Sequence, residues 1–243
     1  HGATTVIIGN CSLGIAPVRP GTAERVAEFL SYVEAIPMET LKTIDTTWET
    51  FGEYLDTVDK RLGVNVGALV GHTPIRYYVM GEDSQGRRDP TADDIEQMKS
   101  HVREAMHSGA LGLSFSLNKN HYDPQGQIIP SVWAKEAELF ALAGVLGELG
   151  TGVLQSGQGT QAQEKNLLLS RLSESTGRPF IYSSLSFQVR KPEGWKKHIE
   201  IIEESVKKGI RAFPQCSPTI KVSDFNMHNC QMFKGVPSWH EVL

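Results

Sequence analysis

The feature that most constrains this chain is an alternation. Short runs of β-branched and apolar residues, ended by glycine or small polar residues, are separated by stretches with helical periodicity. Six such runs start near residues 4, 64, 110, 152, 179 and 210. Thr4 to Gly9 reads as a buried strand; Val64–Val70, Ala110–Leu117, Gly152–Gln155, Pro179–Leu185 and Ile210–Cys216 follow. Between them, Val26, Phe29, Leu30 and Val33 predict a helix with Thr22 as its N-cap. Phe51, Leu55, Val58 and Leu62 predict a second. Ile95, Met98, Val102 and Met106 predict a third, started by Pro90-Thr91-Ala92-Asp93-Asp94 with acidic residues at its positive end. Further helices are expected near Ala134–Glu148, over Ala162–Ser175 and around Trp195, Ile199, Ile202 and Val206. Asn118 to Pro130 reads as a loop, and Asp224 to Leu243 carries no clear period.

Strands that alternate with helices mean parallel βα units and an α/β fold. The strands are apolar on both faces, as expected when helices cover one side and a barrel interior fills the other. A part of a TIM-like (β/α)8 barrel fits this order, with an open doubly wound sheet as the alternative. No GxGxxG follows the first strand and no GxxxxGK[ST] occurs, so the dinucleotide and P-loop readings lose their main support.

With 24 Lys+Arg against 28 Asp+Glu, the net charge of −4 lacks the dense basic face that nucleic acid requires. No run of 18 apolar residues occurs, so no membrane span is expected, and no charged-then-apolar leader is seen. Cys11, Cys216 and Cys230 are too few and too widely spaced for a disulfide framework, which points to a reducing compartment, the cytoplasm.

In parallel βα folds the working residues lie at the carboxyl ends of strands. That rule selects Asn10-Cys11, His72, Ser116, Gln155-Ser156, Ser183-Ser184 and Gln215-Cys216. Cys11 could ligate zinc, or could be a small buried apolar side chain. His72 could bind metal or substrate or act as a base, or could tie a loop to the backbone. Arg76, one helical turn on, could hold a carboxylate or face solvent. His121 and Tyr122 sit in the Asn118–Pro130 loop, as ligand contacts or as a surface turn. His101, His107, His198, His228 and His240 read as structural or exposed. HxH, HExxH and paired strand-end carboxylates are absent, and Gly112-Leu113-Ser114-Phe115-Ser116 misses G-x-S-x-G at its fifth place.

At His1-Gly2-Ala3-Thr4-Thr5-Val6-Ile7-Ile8-Gly9-Asn10-Cys11 and Ala16-Pro17-Val18-Arg19-Pro20 the chain resembles the N-acyl-D-amino-acid deacylases, or D-aminoacylases, of the amidohydrolase superfamily. Gly63 through His72 with Arg76 and Val79-Met80-Gly81 adds to this, as do Met98 through Ala105 and Gly109 through Ser114. The likeness runs in register over roughly residues 1–190.

The resemblance implies a (β/α)8 barrel beside a small β-sandwich, with this chain supplying strands 2 to 7. Strands 1 and 8 and the sandwich would lie outside residues 1–243, making the chain an internal segment of a longer protein. It implies hydrolysis of the amide bond of N-acyl-D-amino acids by zinc-activated water. Cys11 maps to the metal ligand on the second barrel strand. The family's histidine at the end of the fifth strand is Gln155 here, and its His-His at the end of the sixth is Ser183-Ser184. Amide and hydroxyl are far poorer zinc ligands than imidazole. The alternative is therefore a metal-free, inactive homologue that binds a small acyl-amino-acid-like ligand. His72, Arg76, Ser116, His121, Tyr122, Gln155 and Ser183 are the candidate substrate contacts, and Cys11 the candidate metal ligand. The partner is a small N-acyl amino acid or related amide.

Overall fold

Each of the six expected strands forms, starting within two residues of its predicted place. A computed structural model describes residues 2–157, 162–185, 187, 192–216 and 237–239. Cys230, His228, His240 and the tail apart from a 3-10 turn at Pro237–Trp239 lie outside the described residues.

The strands are β1 (Thr5–Ile8), β2 (Asn65–Gly71), β3 (Gly112–Ser116), β4 (Val153–Gly157), β5 (Phe180–Ser183) and β6 (Ala212–Gln215). Every strand pairs in parallel with the next in sequence, so the sheet order is β1-β2-β3-β4-β5-β6. A doubly wound sheet reverses its order at a switch point; this one never does. The doubly wound alternative is thereby excluded, and the curled sheet is a partial TIM-like barrel.

Among the described residues eight helices follow in chain order: α1 (Ala23–Glu34), α2 (Met38–Leu41), α3 (Phe51–Val58), α4 (His72–Met80), α5 (Ala92–His107), α6 (Glu136–Leu149), α7 (Ala162–Thr176) and α8 (Gly194–Lys207). From α4 to α8 each packs on its sequence neighbour, forming one outer layer. The core lies between this layer and the sheet. It joins Val70, Leu113, Phe115, Leu154, Phe180 and Tyr182 of the strands to Met98, Val102, Leu139, Leu142 and Leu146 of the helices.

The outer layer owes its register to specific caps. On α5, Thr91 Oγ1 accepts from the Asp94 N–H and Asp94 Oδ2 accepts from the Thr91 N–H, closing a capping box. The Arg88 guanidinium bonded to Asp94, joined by the Thr91 bonds, holds that carboxyl down at about 2. A depressed carboxylate stabilises the fold above its unfolded pKa and loses that contribution as pH falls through the folded value. Asp94→Ala is therefore expected to cost about 1–2 kcal/mol at pH 7. The cost should shrink as pH falls from the unfolded value of 3.8 toward 2; denaturant titrations at pH 7 and near pH 2 check it, and an equal cost at both would refute it.

Four expectations need correction. Thr22 occupies the N-cap of α1 but makes no capping bond; its hydroxyl donates back to Arg19 O at 2.8 Å. Helix α3 stops at Val58 and tightens into a 3-10 turn (Asp59–Arg61), so Leu62 is extended and exposed. On α8, Ile202 is buried, but Trp195 and Val206 face solvent. The first strand, read as buried, pairs only with β2 among the described residues, and Ile7 is 49% exposed.

Candidate functional site

The turn after β1 organises the strand tips. Gly9 adopts φ 87°, and both Cys11 (φ 58°) and Ser12 (φ 64°) follow in the left-handed region. Two successive non-glycine residues there carry a strain of about 1 kcal/mol or more each, so the surroundings must over-determine the turn. They do. The Cys11 N–H donates to Gln155 Oε1 (2.7 Å), and the Ser12 N–H donates to Ser114 Oγ (3.1 Å). Ser114 Oγ in turn donates to Gly9 O (2.5 Å), and the Ser12 and Thr73 hydroxyls share a bond of 2.8 Å. The turn is thus stapled to β3 and β4 by side chains.

Cys11 Sγ rests on the tip of β4. A β-carbon built on Gly157 would lie 2.5 Å from that sulfur, so Gly157 leaves the room it occupies. The thiol therefore points toward the mouths of the neighbouring strands. Burial pushes its pKa up to about 11.

From Gln155 the bonding continues along the tips. Gln155 Nε2 donates to Ser183 Oγ at 3.0 Å, and the Ser183 hydroxyl donates to Gln215 Oε1. Gly157, Ser183 and Gln215 stand opposite one another in the β4–β5–β6 register. The barrel-side face here is polar, whereas Leu154, Phe180 and Tyr182 on the other face enter the core. Asn10 Oδ1, next to Cys11, is buried without a donor among the described residues.

Ser116 and His121 join at the tip of β3, with 2.8 Å between Ser116 Oγ and His121 Nδ1. The loop carrying His121 is held as a small hairpin, with Tyr122 paired antiparallel to Ile128. Its anchor is Asp123, fully buried, whose carboxylate accepts from Arg25 (2.8 Å), Gln85 (2.9 Å) and the Gln127 N–H (2.8 Å).

His72 and Arg76 lie elsewhere. His72 opens α4 and Arg76 lies one turn on; they are 0% and 1% exposed, and His72 meets Phe115 edge-on. One oxygen of Glu138 on α6 accepts from Arg76 Nε at 2.8 Å and meets His72 Nε2 at 2.9 Å. His72 Nδ1 meets Ser131 Oγ at 3.1 Å. The carboxylate Arg76 holds is therefore internal, and both side chains are engaged with Glu138 rather than with the strand-tip row. Burial raises the Glu138 pKa, but the His72 bond and charge and the Arg76 charge outweigh it and leave it lowered.

The strand-end rule selects Gln215, though not as a ligand contact, whereas Ser114, Glu138 and Asp123 were missed as supporting residues. Glu138 was detectable: it falls on the buried stripe of α6 with Leu139, Leu142 and Leu146, where a carboxylate must have a cationic partner. Of the histidines read as structural or exposed, His107 faces solvent, His101 packs on Tyr78 and His198 bonds Asn166.

The tips can next be tested as a zinc site. Zinc is held by thiolate, imidazole or carboxylate. In the row Cys11–Gln155–Ser183–Gln215 only the thiol qualifies, and both ends of the Gln155 carboxamide are already engaged. Among the described residues, no group of three or more His, Cys, Asp or Glu is placed to hold a metal. The donors of this row do not fit zinc.

Comparison with known proteins places this geometry. No family model matches the chain. A D-aminoacylase from Alcaligenes xylosoxydans xylosoxydans is 34% identical over 119 residues, 47% of this chain and 21% of the relative. An uncharacterized protein of Mycobacterium tuberculosis is 34% identical over 166 residues, 64% of the chain and 26% of the relative. Over the matched residues the chain is D-aminoacylase-like. Its fold agrees: the crystal structure of the N-acyl-D-glutamate deacylase from Bordetella bronchiseptica, complexed with zinc and a phosphonate inhibitor, superposes with a TM-score of 0.66 at 23% identity. That match covers 89% of this chain and 42% of the other. The D-aminoacylase-like chain thus spans about a quarter of the curated relatives it matches and under half of the solved chains. Among the described residues, no helix is long and apolar enough to cross a membrane.

Proposed function

We propose that the strand tips of this D-aminoacylase-like chain bind a small N-acyl amino acid or related amide through uncharged hydrogen-bonding groups, with no metal held by the Cys11 row. The observation that carries this reading is the Gln155 carboxamide, which stands where the resemblance expects an imidazole and is engaged with Cys11 and Ser183. In this reading residues 1–243 are the central part of a barrel domain, and strands 1 and 8 and a small β-sandwich lie outside them. Ser116 and His121 at the β3 tip and Tyr122 in the pinned loop border the ligand. The free thiols Cys11 and Cys216 agree with a cytoplasmic protein.

A second reading is hydrolysis of N-acyl-D-amino acids by metal-activated water. The names of the relatives favour it: D-aminoacylase, N-acyl-D-aspartate deacylase and N-acyl-D-glutamate deacylase. It requires metal ligands contributed from outside the described residues. The two separate in one preparation of the full chain. Calorimetry with N-acetyl-D-alanine, elemental analysis for zinc and assay of released acetate are run together. Saturable binding with substoichiometric zinc and no acetate is the expected result. Stoichiometric zinc with acetate release transfers the assignment to the hydrolase reading; no binding at all defeats both.

A further inference from the structure

The hydrogen-bond row across β4, β5 and β6 has a direction. A backbone N–H can only donate, so Cys11 N fixes Gln155 Oε1 as the acceptor and turns Nε2 toward Ser183. The Ser183 hydroxyl accepts there and spends its one proton on Gln215 Oε1. The Gln215 carboxamide is thereby oriented, and its Nε2 becomes the open end of the chain. That nitrogen has no hydrogen-bond partner among the described residues, and Gln215 is only half-buried.

The charge of this end decides what it can take. Among the described residues, no Lys, Arg, Asp or Glu side chain bonds to Gln155, Ser183 or Gln215. A carboxylate drawn out of water onto such a row would meet no cation among these residues, whereas an uncharged carbonyl oxygen needs only a donor. We infer that Gln215 Nε2 donates to the amide carbonyl oxygen of the bound ligand, making Gln215 the residue that orients the acyl group. This rests on the strand tips being a small-amide site, and it names the atom that recognises the amide.

The test uses the full chain and N-acetyl-D-alanine amide, which has no carboxylate, carrying carbon-13 at its acetyl carbonyl. Gln215→Glu keeps the oxygen that accepts from Ser183 and deletes the N–H; Gln215→Met deletes both. Each variant is checked for folding by its melting temperature. The wild-type chain should bind the probe and shift its labelled carbonyl stretch to lower frequency. Both variants should bind about ten-fold more weakly or worse, and the shift should be missing in Gln215→Glu. Binding by a folded variant within about two-fold of wild type overturns the inference, as does an unshifted stretch in the wild-type complex. If the wild-type chain binds neither this probe nor N-acetyl-D-alanine, the small-amide reading fails first and the inference falls with it.

Discussion

Replacing Arg76 with methionine is expected to lower the unfolding free energy by about 3–5 kcal/mol, because it strands a buried charge. Arg76 is 1% exposed and donates to Glu138 Oε1 at 2.8 Å and to Ser84 O. The second oxygen of Glu138 already lacks a partner among the described residues, so without Arg76 only His72 remains to hold that carboxylate. The double variant Arg76→Met with Glu138→Gln keeps a hydrogen-bonding group for His72 and removes the orphaned charge. It should regain about half or more of the loss, since breaking a buried pair costs more than replacing both partners. The pH dependence has a defined sign. The Glu138 pKa is lowered from 4.5 in the fold, so its contribution is present above that value and fades as pH falls below it. The gap between wild type and Arg76→Met should therefore narrow in acid. Denaturant titrations of the full chain from pH 7 to pH 4 measure this. A single-variant cost under about 1 kcal/mol would show that the pair does not hold α4 to α6.

Gly9→Ala is expected to damage the fold and the strand tips together. Two terms add. The residue sits at φ 87°, where an added methyl costs about 1 kcal/mol. The new β-carbon would also lie 2.2 Å from Leu69 O, an atom of the β2 backbone that cannot rotate away. Relief requires moving the turn, and moving the turn breaks the bonds from Cys11 to Gln155 and from Ser12 to Ser114. A total of about 2–5 kcal/mol follows, with loss of ligand binding at any temperature where the chain still folds. Gly21→Ala is the matched control. Gly21 has φ 81° with nothing within 4 Å of the built β-carbon, so it carries the conformational term alone. Equal costs for the two variants, by thermal melts and calorimetry, would mean that the Leu69 contact is unimportant.

Strand placement was legible because β-branched runs and helical stripes report local preferences, and each strand pairs with its neighbour in sequence. The exposure of Val6 and Ile7 cannot be read from those residues, which look the same in an edge strand as in a central one; it follows only from the resemblance, which leaves the strand beside β1 outside residues 1–243. The early stop at Val58 was missed because Leu62 continues the apolar spacing while the backbone has already tightened at Asp59–Arg61. Of the site, Cys11, Gln155 and Ser183 were found by the strand-end rule. His72 obeys the same rule yet enters the opposite layer, since it opens α4 and turns with that helix onto Glu138. The orientation of Gln215 is set by a relay of bonds that begins at a backbone N–H far away in the chain, and no local pattern records it.

The strictly sequential pairing of strands sets an order of assembly. Each strand pairs with the one before it across a whole intervening helix, as Thr5 does with Asn65, so every pairing is non-local and can form only once its crossover has been made. The bond from Cys11 to Gln155 reaches further still, joining residues 144 apart. The row of strand-tip bonds is thus completed late, when β4, β5 and β6 arrive to meet a turn translated long before.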